Sequence, residues 1–145
     1  PLWRQLVPYG VGAVLGAVLA WTVFTLDLLA PAAPELRADL APVEGVPLAL
    51  TARFDPQSGV LAVDLAQGAV PDTGALELWL IAEEDAAPVS LGLLDASGRA
   101  VRRVPPLLAE RMAGATLAVS EEPAGGSPTG APTGPVRAAG ALTET

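Results

Sequence analysis

Residues 76–81 read LELWLI and alternate leucine with other side chains. Because successive side chains of a strand point to opposite faces, the three leucines would share one face, and Glu77, Trp79 and Ile81 the other. A strand needs neighbours for its backbone hydrogen bonds. The stretch therefore predicts a sheet whose other strands lie in the surrounding sequence.

Short apolar runs bounded by turn residues continue on both sides. Residues 55–59 (DPQSG) and 95–98 (DASG) are turn sequences. The predicted strands cover residues 48–54, 60–65, 76–81, 89–94, 100–104, 116–120 and 136–142, and residues 106–112 are predicted as a short helical insertion. Strands spaced at about 8–12 residues are typical of an antiparallel sandwich. We therefore expect an all-β domain at residues 48–145, an antiparallel β-sandwich of about seven short strands.

A different pattern precedes the strands. Residues 6–26 (LVPYGVGAVLGAVLAWTVFTL) carry no charge, and about 21 residues at roughly 1.5 Å each can cross an apolar core of about 30 Å. Arg4 precedes the stretch and Asp27 follows it, so the N-terminus is expected to be cytoplasmic. We predict one transmembrane α-helix in an anchor of residues 1–29. A cleaved signal peptide ending near residues 30–32 (APA) is the alternative, although its apolar region is usually only about 7–15 residues long.

Small residues recur along this stretch. Gly12, Gly16 and Ala20 are spaced by four and would share one helix face. Such a face lets two helices approach closely in lipid, so these residues are predicted to pack against another transmembrane helix. The ordinary abundance of glycine in membrane helices is the alternative explanation.

Residues 30–47 (APAAPELRADLAPVEGVP) show no sustained periodicity. Proline, alanine and acidic residues are typical of a semi-extended linker. We therefore predict a Pro/Ala-rich linker here, with at most a helical turn at residues 35–40.

The composition excludes several chemistries. The chain has 145 residues, a net charge of −8, no Cys and no His, and it also lacks Lys. It has no thiol nucleophile, imidazole base, Schiff-base lysine or Cys/His zinc ligands. We therefore expect no enzyme, no cofactor and no metal, and the acidic charge disfavours binding to nucleic acid.

Two charged clusters are candidate ion sites. Glu83, Glu84 and Asp85 form an acidic run, but a solvated hairpin tip is favoured over a calcium site because no calcium-loop spacing is present. Arg102 and Arg103 follow Arg99 and would point to opposite faces of a strand. That arrangement favours a solvated sheet edge over one anion site.

The most distinctive string is EEPAGGSPTGAPTGP, residues 121–135. Its glycines and prolines predict a series of tight bends and exclude helix or central strand. A phosphate-binding glycine loop leads into a helix, whereas this string leads towards a strand. Low-complexity disorder remains a second alternative.

Three segments carry a family resemblance. Residues 77–81 (ELWLI), 88–94 (PVSLGLL) and 117–136 (LAVSEEPAGGSPTGAPTGPV) resemble the C-terminal domain of the anti-sigma-K factor family of bacterial membrane proteins. The start of the predicted span, LWRQL at residues 2–6, is also similar to that family. The resemblance marks a family-motif loop comprising Glu122, Pro123, Gly125, Gly126, Ser127, Pro128, Thr129 and Gly130.

The resemblance implies a membrane-anchored anti-sigma factor that regulates transcription through an extracytoplasmic-function sigma factor. It implies a single-pass protein of the bacterial inner membrane, with a cytoplasmic N-terminus, a periplasmic C-terminal domain and release of sigma by regulated proteolysis. Because no helical domain precedes Trp3, the sigma-binding domain is expected outside these residues. The alternative is an accessory single-span subunit of a larger membrane protein complex, which would pack on other transmembrane helices.

Overall fold

The computed structural model describes residues 16–22, 24, 34–43, 47–83 and 86–145. The chain divides into two compact units, Pro1–Ala32 and Ala33–Thr145. In the first unit, residues 16–22 and 24 are helical. Among the described residues, no helix has the length and hydropathy that crossing a bilayer requires. Residues 6–15, 23 and 25–26 of the predicted span lie outside the described part, so the span stays a prediction.

The second unit is an antiparallel β domain. Its strands, over the described residues, are β1 (Leu36–Pro42), β2 (Ala49–Asp55), β3 (Val60–Gln67), β4 (Ala75–Ile81), β5 (Val89–Leu93), β6 (Ala100–Arg103), β7 (Thr116–Glu122), β8 (Val136–Ala141) and β9 (Thr143–Glu144), with a helical turn at Pro106–Ala109. All seven predicted strands are confirmed, with ends shifted by at most two residues. The predicted helical insertion is present in a shorter form.

The strands form one nearly closed, barrel-like sheet instead of two separate layers. Their hydrogen-bonded order is β5-β4-β7-β8-β1-β2-β3-β6, and β9 also pairs with β1. Strand β1 causes this continuity because it pairs with β2 along residues 36–40 and with β8 at Ala41 and Pro42. The all-β antiparallel class is thus confirmed, while the expected two-layer sandwich is replaced by a single curled sheet.

The predicted linker is wrong for residues 36–42, and so is the helical turn at residues 35–40. Leu36, Ala38 and Leu40 are buried, and the residues between them are exposed. This alternation is the pattern of a strand with one face on a core. Strand β9 covers the first residues of β1, and the Thr145 N–H donates to the Glu35 carbonyl oxygen at 3.2 Å.

The core fills the inner face of the curled sheet. The leucines of β4 point into it, as their alternation predicts, together with residues from the other strands. The largest fully buried members are Phe54, Leu40, Leu50, Leu61, Leu76, Leu78, Leu80, Met112, Leu117 and Leu142. Trp79 is also fully buried but does not belong to this cluster. The outer face of β4 must therefore have a separate cover.

Strand β1 should be essential for stability. Leu40 is 1% exposed, so Leu40→Ala should lower the free energy of unfolding by about 2–5 kcal/mol through lost burial and a residual cavity. Arg37→Ala on the exposed face of the same strand is the matched control, with an expected change within about 0.5 kcal/mol. Urea unfolding of the purified chain measures both. Equal effects of the two substitutions would contradict the central position of β1.

Candidate functional site: a loop held by two carboxylates

Four buried side chains share the outer face of β4 and β7. Glu77 and Trp79 come from β4, and Ser120 and Glu122 from β7; none is more than 7% exposed. Glu77 lies opposite Ser120, and Trp79 lies opposite Ala118 in the antiparallel register. Because carboxylates are almost never buried without partners, the groups that contact these two glutamates define the site.

Glu122 accepts hydrogen bonds from both directions along the chain. Ser120 Oγ donates to its Oε1 at 2.6 Å, and the Trp79 indole N–H donates to Ser120 Oγ at 2.8 Å. From the far end of the loop, the backbone N–H groups of Thr133 and Gly134 donate to Oε1 at 3.0 and 3.2 Å. The Thr133 hydroxyl donates to Oε2. One carboxylate thus joins β7 to the segment that leads into β8.

Glu77 holds the near end of the same loop. The Ser127 N–H donates to Glu77 Oε2 at 2.7 Å, and Ser90 Oγ donates to Oε1 at 2.5 Å. Gly126 has φ of +96°, and a Cβ there would lie 2.9 Å from Glu77 Oε2. Glycine at this position therefore lets the loop backbone approach the carboxylate. We call residues 123–135 the clasp loop because a carboxylate holds it at each end.

The exposed crown of the clasp loop is ordered by its own hydroxyls. Ser127 Oγ and Thr129 Oγ1 both donate to the Ala131 carbonyl oxygen. Pro123 accepts a hydrogen bond from the Gly126 N–H at 2.9 Å. The string therefore folds into a compact loop, not a low-complexity tail. Its N–H groups at the glutamates are occupied, which argues against a phosphate cradle.

The family-motif residues fall into two groups. Glu122, Gly126 and Ser127 lie at the carboxylate contacts, as described above. The remaining members belong to the first turn and the exposed crown, and they are Pro123, Gly125, Pro128, Thr129 and Gly130. Glu77 and Ser120 lie within segments that carry the resemblance, but the resemblance did not mark them as site residues. The alternation of β4 could have indicated Glu77, since it places a carboxylate beside a tryptophan on the face away from the leucines.

The other predicted sites do not converge on the clasp loop. Gly16 and Ala20 are exposed helical residues, and Gly12 lies outside the described residues, so the helix-packing face stays a prediction. Glu83 is exposed, and Glu84 and Asp85 lie outside the description as well. Within the described ranges, no group of three or more potential ligands could hold a metal ion.

The arginines also contact separate partners. Arg99 Nε pairs with Asp64 Oδ1 at 2.7 Å. Arg102 donates to the Leu93 carbonyl oxygen and Arg103 to the Ser58 carbonyl oxygen, both at 2.9 Å. Strand β6 forms one end of the sheet path, so the prediction of a sheet edge is confirmed.

Two influences act on the pKa of Glu122. Burial disfavours the carboxylate and by itself would raise this pKa. The hydrogen bonds from Ser120, Thr133 and Gly134 together outweigh burial and hold the pKa below its ordinary value. The folded domain therefore favours the ionised form of the Glu122 side chain.

The second unit is thus an antiparallel β domain with one curled sheet, and buried carboxylates hold its clasp loop against that sheet. The chain matches the family model described as "Anti-sigma-K factor rskA, C-terminal" over residues 9–136. It therefore belongs to the anti-sigma-K factor family, which confirms the resemblance found in the sequence. No curated protein and no solved structure matches the chain significantly.

The Glu122 contacts should contribute measurably to stability. Glu122→Gln replaces one acceptor oxygen by an amide donor that faces other donors, and we expect a loss of about 1–3 kcal/mol in the free energy of unfolding. Glu83→Gln at the exposed hairpin tip is the matched control and should change it by less than about 0.5 kcal/mol. Urea unfolding measures both variants. An unchanged Glu122→Gln stability would show that the loop is not held by this carboxylate.

The lowered pKa of Glu122 also predicts a pH dependence. Because the folded state favours the anion, its stabilisation is present above the ordinary value of 4.5 and is lost as pH falls through the lower folded value. The stability difference between the wild type and Glu122→Gln should therefore shrink as the pH falls below 4.5. Asp55 and Asp95 have lowered pKa values too, but they cancel in the difference. A difference that is constant down to about pH 3 would contradict the assignment.

Proposed function

We propose that this chain is the transmembrane and extracytoplasmic part of an anti-sigma factor that regulates an extracytoplasmic-function sigma factor. The family match over residues 9–136 is the observation that carries the proposal, because it includes most of the predicted span as well as most of the β domain. In this arrangement the bilayer holds residues 1–29, the N-terminus is cytoplasmic and the β domain is periplasmic. The sigma factor is bound by a cytoplasmic domain outside these residues.

The proposed task of the β domain is to control proteolysis of the segment that joins it to the membrane. Residues 36–42 were expected in that segment, yet they form β1 with β2 on one edge and β8 and β9 on the other. A protease must take hold of a locally unfolded chain. Every residue of β1 is paired in the folded domain, with β2 over residues 36–40 and with β8 at residues 41–42. The accessible segment therefore ends before Leu36 while the domain is folded.

This arrangement would link the stability of the domain to release of the sigma factor. When opening and closing are fast compared with cleavage, proteolysis follows the equilibrium population of the open form. A signal that loosens β1 would raise that population and extend the cleavable segment into the domain. A signal that stabilises the sheet would have the opposite effect.

We further propose that the chain acts by binding and protection and not by catalysis. The chain has no His or Cys and no Lys, so the usual activating bases for a serine nucleophile are missing. The hydroxyls of Ser90, Ser120 and Ser127 each donate to a carboxylate or carbonyl oxygen. These contacts support a structural use of the serines.

The regulator role is tested by transcription. Overproducing the full-length protein should lower transcription from a promoter that depends on its cognate sigma factor, because more sigma is held at the membrane. A promoter that depends on the housekeeping sigma factor is the control and should not respond. Unchanged transcription from the cognate promoter would reject the regulator role.

Purification of the full-length protein in mild detergent separates this role from the alternative. Recovery of a sigma factor in stoichiometric amount supports the proposal. Recovery of a larger membrane complex without sigma would instead favour the accessory single-span subunit.

A further inference from the structure

The two ends of the sheet path meet at an unpaired seam. Strands β5 and β6 are consecutive in the chain and are joined by residues 94–99, yet they occupy opposite ends of the hydrogen-bonded order. Each has one partner over the described residues: β5 pairs with β4, and β6 pairs with β3. A closed sheet would pair β5 with β6. We call this gap the β5–β6 seam.

Backbone groups of both strands point into the seam. The Val104 N–H donates to the Gly59 carbonyl oxygen, which makes Arg103 and Val60 a non-hydrogen-bonded pair. In such a pair, the N–H and C=O groups point away from the partner strand. The same alternation directs the N–H and C=O groups of Val101 into the seam. On β5, the bond from the Leu94 N–H to the Leu76 carbonyl oxygen makes Leu93 and Glu77 a non-hydrogen-bonded pair, so the backbone groups of Leu93 also point into the seam.

A side chain bridges the seam in place of a backbone ladder. Arg102 lies opposite the buried Leu61 and therefore starts on the core face of β6. Its guanidinium donates to the Leu93 carbonyl oxygen at 2.9 Å and to the Val101 carbonyl oxygen at 3.1 Å. Gly92 leaves room for this group, since a Cβ there would lie 3.4 Å from Arg102 Nε.

Two arginines on the β6 side of the seam, Arg102 and Arg103, have no carboxylate partner among the described residues. Ion pairs among the described residues use other arginines, not Arg102 or Arg103. A shallow groove follows this edge and is lined by Asp95, Arg99, Ala100, Val101 and Arg102. Because arginine binds carboxylates more strongly than carbonyl groups, the occupant that best complements this edge is acidic.

We propose that the β6 edge of the seam binds an extended acidic segment of a partner protein, which adds to the sheet as a further strand. Its backbone pairs with the N–H of Val101 and with the N–H and C=O groups of Arg103, and the carboxylates on one of its faces pair with the guanidinium of Arg102. Strand β6 is the better template because the pairing of β5 with β4 is irregular. A bulge interrupts it opposite Leu78 and Trp79 of β4. The proposal does not depend on the sigma-factor role.

The proposal is tested by nuclear magnetic resonance titration of the isotope-labelled full chain. The probe is a capped ten-residue peptide of alternating Glu and Val, and the control replaces every Glu by Lys. The Glu peptide should shift the amide signals of Val101 and Arg103 and bind at least about tenfold more tightly than the Lys peptide, with an affinity that falls as salt rises. Absence of binding, or equal binding of both peptides, would overturn the proposal and leave a solvated edge.

A pair of variants tests the backbone pairing. Val101→Pro removes an N–H that points into the seam, at an edge position where proline is tolerated, and should abolish binding. Val101→Ala keeps this N–H and should bind like the wild type. Equal binding by the two variants contradicts strand addition. If Val101→Pro does not fold, a Glu peptide with alternate N-methylated residues serves instead, and binding of that peptide as tight as the parent's also contradicts it.

Discussion

A carboxylate that is withdrawn from water needs hydrogen-bond donors around its oxygens, and the outer face of this domain is organised by that need. Glu122 receives donors from its own strand and from residues 133–134, so β7 and the start of β8 are fixed together. Glu77 fixes the other end of the clasp loop through Ser127. Trp79 is buried on the same face and is tied to this network through its indole N–H bond to Ser120.

The two glutamates also explain the composition of the clasp loop. Backbone N–H groups can reach a buried carboxylate only where no side chain intervenes, and Gly126 satisfies this condition at Glu77. At Gly134 an added Cβ would overlap the carbonyl oxygen of Glu121. Glycine here is required by close approach and does not indicate a flexible chain. The clasp loop lies within residues 9–136, the part of the chain that matches the anti-sigma-K factor family.

The sequence allowed the local structure of the domain to be predicted better than its long-range contacts. The strands predicted from short apolar runs are all present, because their alternation and their turn residues are local properties. Strand β1 was missed although Leu36, Ala38 and Leu40 alternate correctly. Its alanines and aspartate have poor strand propensity, and the prolines around it resemble a linker. Only pairing with β2, β8 and β9 decides its conformation.

The candidate site was predicted in part for the same reason. The resemblance and the composition both indicated the loop, but the bond between Glu77 and Ser127 joins positions 50 residues apart. No local pattern encodes such a contact. The burial of Trp79 away from the core could not be predicted either, since alternation gives the face of a residue but not what covers that face.

The pairing of β1 with β8 has a consequence for biosynthesis. Strand β1 leaves the ribosome first, but one of its neighbours is Val136–Ala141, near the other end of the domain. At about 5–20 residues per second, roughly 100 further residues take about 5–20 s to be translated. During that interval β1 has one unsatisfied edge. Until its last strands arrive, a nascent chain of this protein therefore exposes an unpaired strand edge, which is a template for pairing with other chains.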